Sequence, residues 1–290
     1  MNKNKIFSTY EIIQFNFFGS KTLTLKKGAT PTFFSYIFPI IFCKFAIMKK
    51  LIFLFIVLPF IGFSQSAIDF LPTTTNNGEL VHHTYYSLSY SEQNEQAEWV
   101  FYEIKKERIL GIASRTNDFR SDDKISTNSA NLNDYKRSGY DRGHLAPAAD
   151  FSFNAIAMSE SFYMSNMSPQ LPSFNRGIWK NLESLVRSWG INSSLYVVTG
   201  SILGDCSTTI GTNNVCVPEF YYKVIYNPSE EKMIAFVLLN KKGEYKLSHY
   251  VTSVDYVESI TGIDFFPILE DKLENKLESE VNKENWIWNE

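Results

Sequence analysis

Cysteine and histidine are the scarcest chemistry-bearing residues in this 290-residue chain, at three and four copies. The cysteines form no Cys-x-x-Cys pair and no histidine stands near them, so the sequence assembles no ligand set for a structural zinc. An excess of positive charge is missing too. The 28 Lys and Arg against 31 Asp and Glu give a net charge of −3, and such a chain does not attract nucleic acid by its overall field. No apolar run reaches the ~20 residues of a membrane-spanning helix. Residues 66–290 show neither an internal repeat nor an interdomain linker, which argues against a solenoid or a string of small domains. What is there suffices for one large core: 44% of residues are hydrophobic and 16% aromatic, outside the disordered class.

The amino-terminal part carries a targeting pattern. Met48-Lys49-Lys50 leads into the apolar stretch Leu51 to Phe63, with a small-residue exit at Gly62 and Ser64. This is the order of a secretory signal peptide. It predicts a signal over 48–65, cleavage near Ser64 to Gln65, and an exported protein, periplasmic or secreted, with no lasting membrane association. A signal that begins at an internal methionine makes residues 1–47 a start-site artefact or an unstructured extension. The competing expectation is an uncleaved anchor that also uses the apolar residues around Phe33 to Phe42. Residues 1–64 hold eight lysines against the single Glu11, so the rest of the chain carries −10 where the whole carries −3. Any affinity of the mature chain for nucleic acid therefore needs a local basic patch and a bound cation. In an exported protein, Cys206 and Cys216, which bracket the polar loop Ser207 to Val215, are expected to close it as a disulfide.

Strand character runs over Val81 to Tyr90 and Glu98 to Ile104, with a polar turn between them. Arg115 to Asn133 reads as a long loop and 154–162 as a short helix. Ile178, Trp179, Leu182, Leu185, Val186 and Trp189 recur at helical spacing and Gly190 stops the pattern. This predicts a helix with Asn175 at its N-cap or first turn. Glu183, eight positions on, lies about 80° round from Asn175, so one helix would aim both polar groups towards one site. Leu195 to Gly200, Glu219 to Tyr226 and Met233 to Leu239 read as strands, and Ser253 to Thr261 as a helix. The charged tail from about 270 reads as helical, with Trp286 and Trp288 docked on the core. The pattern predicts an α+β fold, a single domain over 66–290 around a largely antiparallel central sheet.

Two polar clusters carry chemistry. Ser138 to Pro147 sets His144 beside Arg142 and Asp141 in a Gly/Pro-punctuated segment, and about thirty residues on come Asn166, Gln170, Asn175, Gly177, Trp179 and Glu183. Phosphodiester hydrolysis needs a nucleophilic water, charge neutralisation on the phosphate and help for the leaving oxygen. Histidine takes a proton near neutral pH, and arginine pairs with phosphate. An asparagine offers an amide oxygen to Mg²⁺, which otherwise keeps its waters and phosphate oxygens. A carboxylate such as Glu183 hydrogen-bonds metal-bound water.

Asp141-Arg142-Gly143-His144, Ser165-Asn166-Met167-Ser168-Pro169-Gln170 and Asn175-Arg176-Gly177-Ile178-Trp179 running on to Leu182-Glu183 resemble the DNA/RNA non-specific endonucleases. That family includes secreted bacterial nucleases and mitochondrial endonuclease G and belongs to the ββα-metal superfamily. The resemblance covers most of 80–270, with both motifs in order and matching internal spacing. It implies an embedded ββα-metal motif and DNA and RNA as substrates, cut without strong sequence preference to 5′-phosphate and 3′-hydroxyl ends. By position it implies His144 as general base, Asn175 as the sole direct protein ligand of one divalent metal (Mg²⁺, with Mn²⁺ as a substitute), and Glu183 as the carboxylate orienting metal-bound water. Asn166 matches an active-site asparagine near the metal cluster, and Arg142 the motif arginine next to the base. An upstream arginine that stabilises the transition state matches Arg115 or Arg120, with Arg115 preferred.

Each residue also has a structural reading. Alone, Asn175 is an ordinary helix cap, His144 a satisfied structural histidine and Glu183 a solvated carboxylate; the two motifs together outweigh these. Asp141 is expected to support its turn through local hydrogen bonds. His82 and His83, adjacent on a strand, face opposite sides and make no metal pair. The aromatics are mostly core. Two other functions compete. One is a catalytically idle nucleic-acid-binding module, which the complete His144, Asn175 and Glu183 set and the acidic charge oppose. The other is a related phosphodiesterase with the same core chemistry on a nucleotide or lipid.

Overall fold

The computed structural model describes residues 66–288 apart from 76, 77, 110 and 205. The signal-peptide, start-site and anchor expectations fall on residues 1–65, outside the described residues. Among the described residues no helix is long and apolar enough to cross a membrane.

In chain order the strands are β1 (Gly78–His82), β2 (Tyr86–Ser91), β3 (Gln96–Ile104), β4 (Asp141–His144), β5 (Met167–Gln170), β6 (Leu195–Ser201), β7 (Thr209–Ile210), β8 (Val215–Cys216), β9 (Phe220–Asn227), β10 (Lys232–Leu239) and β11 (Val251–Thr252). The α-helices are α1 (Leu132–Tyr135), α2 (Ala155–Glu160), α3 (Lys180–Trp189), α4 (Val254–Thr261) and α5 (Asp271–Ser279). Seven strands form one sheet in the order β1-β2-β3-β6-β9-β10-β11, and every pairing is antiparallel. The α+β architecture with a largely antiparallel sheet is thus the one the sequence predicts.

Side chains alternate across the sheet, and both faces are covered. On β3, Val100 and Tyr102 join Leu88, Tyr221 and Ile225 against Trp179, Leu182, Leu185, Val186 and Trp189 of the α3 region. Trp99 and Phe101 point the other way, with Tyr222, Val224, Phe265 and Phe266 against Val254 and Val257 of α4 and Leu277 of α5. Burying such aromatic side chains contributes roughly 1.5–3 kcal/mol each. Trp286 is buried and lies 4.5 Å, ring to ring, from Trp189, so the tail docks as expected.

Three local readings are corrected. Val81 to Tyr90 is not one strand: the chain reverses through His83–Tyr85, where the His83 N–H donates to the Tyr86 carbonyl at 2.8 Å. Strand propensity does not register a tight turn made of residues that also favour strands. His83 therefore lies off the strand, buried, with Nε2 2.9 Å from Asp122 Oδ2. The helix after Asn175 is not continuous either. Phe174–Trp179 forms a wide i→i+5 turn broken at Gly177 (φ −104°, ψ −113°), and the α-helix begins at Lys180. Finally, Asp141–His144 is a strand, paired antiparallel with Met167–Gln170. With α3, this hairpin makes the ββα unit.

Candidate active site

The hairpin brings the two sequence clusters together. Residues two apart on a strand share a face, so Arg142 and His144 of β4 point the same way. They line a cleft of about 460 Å³ shared with Arg115, Asn175, Glu183 and Arg187. A side chain at 143 would run into Gln170, since a Cβ there would lie 2.2 Å from its side-chain atoms. Glycine at this position lets β4 lie flat on β5.

His144 is buried at the cleft wall, edge-on to Phe162 at 5.0 Å. Its Nε2 is shut off from solvent and has no hydrogen-bond partner among the described residues. Burial, then the charges of Arg115 and Arg142, push its pKa down to about 3. The imidazole is therefore neutral at physiological pH, with a ring nitrogen available to accept a proton. Arg142 lies over the Phe119 ring at 4.0 Å and Arg115 over the Phe162 ring at 4.8 Å. Aromatic faces thus pin both guanidiniums from behind. Of the two upstream arginines, Arg115 lines the cleft. Arg120 instead binds the Ser159 carbonyl at 3.0 Å and Asp118 Oδ2 at 3.1 Å, and it is not part of the cleft lining.

Asn175 sits in the wide turn that leads into α3. Its Nδ2 donates to Asp141 Oδ2 at 2.9 Å. Asp141 is itself clamped by Arg176, whose Nε and Nη2 donate at 2.8 and 2.6 Å. The expectation that Asp141 supports its own turn is corrected: its bonds reach residues 34 and 35 positions away. With the amide nitrogen taken, Oδ1 of Asn175 is the end available to the cleft, and no hydrogen bond to it is found among the described residues.

Glu183 lies in the first turn of α3, half-buried in the cleft. Burial raises its carboxyl above the usual range, against the pull of Lys223 and Arg187, while Asp150 adds to the rise. Lys223, on β9, is fully buried beneath α3. Its Nζ lies 5.2 Å from the Trp179 ring centroid and is bonded to Thr199 Oγ1. Arg187 forms an ion pair with Asp150. These supporting charges were not singled out in the sequence. Arg187 had a signal, since it stands one helical turn from Glu183; a single lysine inside a strand has none.

Asn166 is placed differently from the implied metal-adjacent role. It is fully buried, outside the cleft lining. Its Oδ1 accepts from the Ala146 N–H at 2.9 Å, and its Nδ2 donates to the Ala146 and Ser161 carbonyls at 2.9 and 2.8 Å. With both amide protons used on backbone, it holds the chain just after His144 rather than touching a ligand.

Arg115, Arg142, Arg176, Lys180 and Arg187 line this cleft with Glu183; Arg176 and Arg187 are paired with Asp141 and Asp150, which leaves Arg115, Arg142 and Lys180 in excess. That is the local basic patch an acidic chain needs to hold nucleic acid. The protein donors at its floor are oxygens, with no thiolate among them, which fits a hard divalent cation that keeps most of its waters. Among the described residues, the three-carboxylate cluster able to share an ion, Asp255, Glu258 and Glu278, lies by α4 and α5 across the sheet. Cys206 and Cys216 are paired as a disulfide, Cα atoms 5.7 Å apart.

The family model for DNA/RNA non-specific endonuclease matches residues 66–272. The chain is similar to the human protein "Endonuclease G, mitochondrial", 33% identical over 203 residues, covering 63% of this chain and 67% of that one. It is similar to the "Mitochondrial nuclease" of Saccharomyces cerevisiae, 33% identical over 222 residues, covering 67% of each. It is also similar to "Nuclease C1" of Cunninghamella echinulata, 34% identical over 205 residues, covering 64% of this chain and 81% of that one. Its fold is similar to a chain in the crystal structure of the EndoG/EndoGI complex, with TM-score 0.63 and 31% identity, covering 72% of this chain and 95% of that one.

Proposed function

This chain belongs to the DNA/RNA non-specific endonuclease family and is a nuclease, and on that premise we propose that it hydrolyses DNA and RNA in the His144 cleft with the help of a divalent cation. The observation that carries the reading is a neutral histidine on the wall of a cleft where Arg115, Arg142 and Lys180 stand beside the carboxylate of Glu183.

Arg115 and Arg142 hold the non-bridging oxygens of the scissile phosphate and offset the charge that grows on them. His144 takes a proton from a water as its oxygen attacks phosphorus. The bond from phosphorus to the 3′ oxygen breaks and that oxygen takes a proton from solvent, leaving a 5′-phosphate and a 3′-hydroxyl. Glu183 accepts a hydrogen bond from water and fixes its place; Asp141 fixes the amide of Asn175; Asn166 fixes the chain after His144. A divalent cation held at Asn175 Oδ1, Mg²⁺ or Mn²⁺ in its stead, supplies positive charge to the phosphate when bound. Purified protein should cut both supercoiled plasmid and RNA with Mg²⁺ and lose that activity in EDTA. Full activity in EDTA contradicts the metal requirement.

The catalytic domain we propose is 66–290, exported after removal of 48–65, with residues 1–47 absent from the mature protein. The signal pattern and the Cys206–Cys216 pair support export. Mass spectrometry of the mature amino terminus decides this, and a mature protein that retains residues 1–47 contradicts it.

A further inference from the structure

Helix α3 has a cleft on each side. Lys180, Glu183, Ser184 and Arg187 form the stripe that faces the catalytic cleft. A second cleft of about 770 Å³ runs along the neighbouring stripe and is walled on its far side by the loop that follows β10. Ser184 lines both clefts. At this shared position the divide between them is a single short side chain, so a strand leaving the catalytic cleft meets a low ridge.

Three features of the far wall match a nucleic-acid strand. Its charged side chains are Lys242 and Lys246, and among the described residues no carboxylate lines the groove; the loop's own Glu244 is engaged by Lys241 at 3.5 Å. Tyr245 is 59% exposed, yet its ring is already ordered, stacked on His249 at 4.3 Å with 29° between planes. The loop backbone is tied down: the N–H groups of Glu244 and Tyr245 donate to Tyr250 Oη at 3.2 and 3.3 Å. Gly243 lets the loop press against the wide turn that leads into α3, where a Cβ would lie 2.5 Å from Ile178 Cδ1. An exposed aromatic that is held before the ligand arrives suits base stacking, and flanking lysines suit phosphates.

We propose that this groove is a binding subsite for the single nucleic-acid strand that continues from the scissile phosphate, with Lys242 and Lys246 on its phosphates and Tyr245 beneath a base. The proposal rests on the nuclease reading above. It makes the enzyme prefer long strands over minimal phosphodiesters.

The test compares wild type with Tyr245→Ala and with Lys242→Ala/Lys246→Ala on two substrates, a long single strand and bis(p-nitrophenyl) phosphate, which occupies the catalytic cleft alone. Expected is a loss of roughly ten-fold in kcat/KM on the long strand for each variant, a salt dependence shallower by about one unit per lysine removed, and unchanged hydrolysis of the small ester. Tyr245→Phe should keep wild-type behaviour, because stacking needs only the ring. Wild-type kcat/KM and salt slope in the variants overturn the subsite, and so does an equal loss on both substrates. If wild type cuts neither substrate, the nuclease reading fails instead. Fluorescence anisotropy of a labelled single strand in EDTA then decides the groove by itself: weaker binding by the variants supports it, and equal binding overturns it.

Discussion

Asp141 and Asn175, 34 residues apart, are joined by a 2.9 Å hydrogen bond in which the carboxylate accepts from the amide nitrogen. The first motif thereby sets which end of the second motif's amide faces the cleft. Partners of this kind set ligand orientation and typically change metal affinity 10–100-fold. Asp141→Ala should raise the Mg²⁺ concentration for half-maximal cleavage by roughly that factor, with much of the rate recovered at saturating Mg²⁺. An unchanged Mg²⁺ requirement would show that the bond does not orient the ligand.

The acid limb of the rate profile should belong to Glu183 rather than His144. His144 is held to about 3 and stays neutral through the working range. Burial raises Glu183, so its carboxylate is the first group lost as pH falls. Lys223 pulls that pKa down. Lys223→Met should therefore move the acid limb of kcat/KM to higher pH, by about one unit or more, and Glu183→Gln should lower the rate and flatten the limb. If Lys223→Met leaves the limb in place, Glu183 does not set it.

Asn166→Ala would leave the Ala146 N–H and the Ala146 and Ser161 carbonyls without their partner inside the core. Each buried group so orphaned costs about 1–3 kcal/mol. The denaturant midpoint should drop markedly, with activity falling alongside it. A residue that acted only on substrate or metal would lower activity and leave the midpoint alone.

Across the sheet, burial first and then the neighbouring carboxylates push Glu278 up to about 8; burial, opposed by the Phe265 N–H and helped by nearby carboxylates, pushes Glu258 up to about 7. For an acid whose folded pKa is raised, the folded state binds more protons than the unfolded state between the two values. Stability then falls as pH rises through that window, here from near 4.5 to about 8. The melting temperature should decline from pH 5 to pH 8.5, and Glu278→Gln should lessen the decline. Parallel pH curves for variant and wild type would remove Glu278 as the cause.

What could be read from the sequence followed from periodicity. The stripe from Ile178 to Trp189 and the strands at 98–104, 195–200, 219–226 and 233–239 are where expected because one buried face per element leaves a repeat in the sequence. The strand Asp141–His144 has no such repeat: four residues with two charges and a glycine acquire strand geometry only from pairing with Met167–Gln170. The break at Gly177 was hidden for the same reason, since the apolar spacing runs unbroken across it. At the site, His144, Asn175 and Glu183 stood out by residue type, and the family resemblance gave them roles. Asp141 looked local because its partners are distant in sequence. Lys223 resembled any strand lysine because its burial depends on α3 lying over it.

The central claim is that His144 is the general base of a divalent-cation-dependent nuclease. The most direct measurement compares wild type and His144→Ala on supercoiled plasmid and on RNA, each with Mg²⁺ and with EDTA, after matched circular dichroism spectra establish equal folding. Expected are cleavage of both substrates by wild type with Mg²⁺ and a loss of at least roughly 10²-fold in His144→Ala, the usual contribution of a positioned base. Cleavage by His144→Ala at the wild-type rate would contradict it.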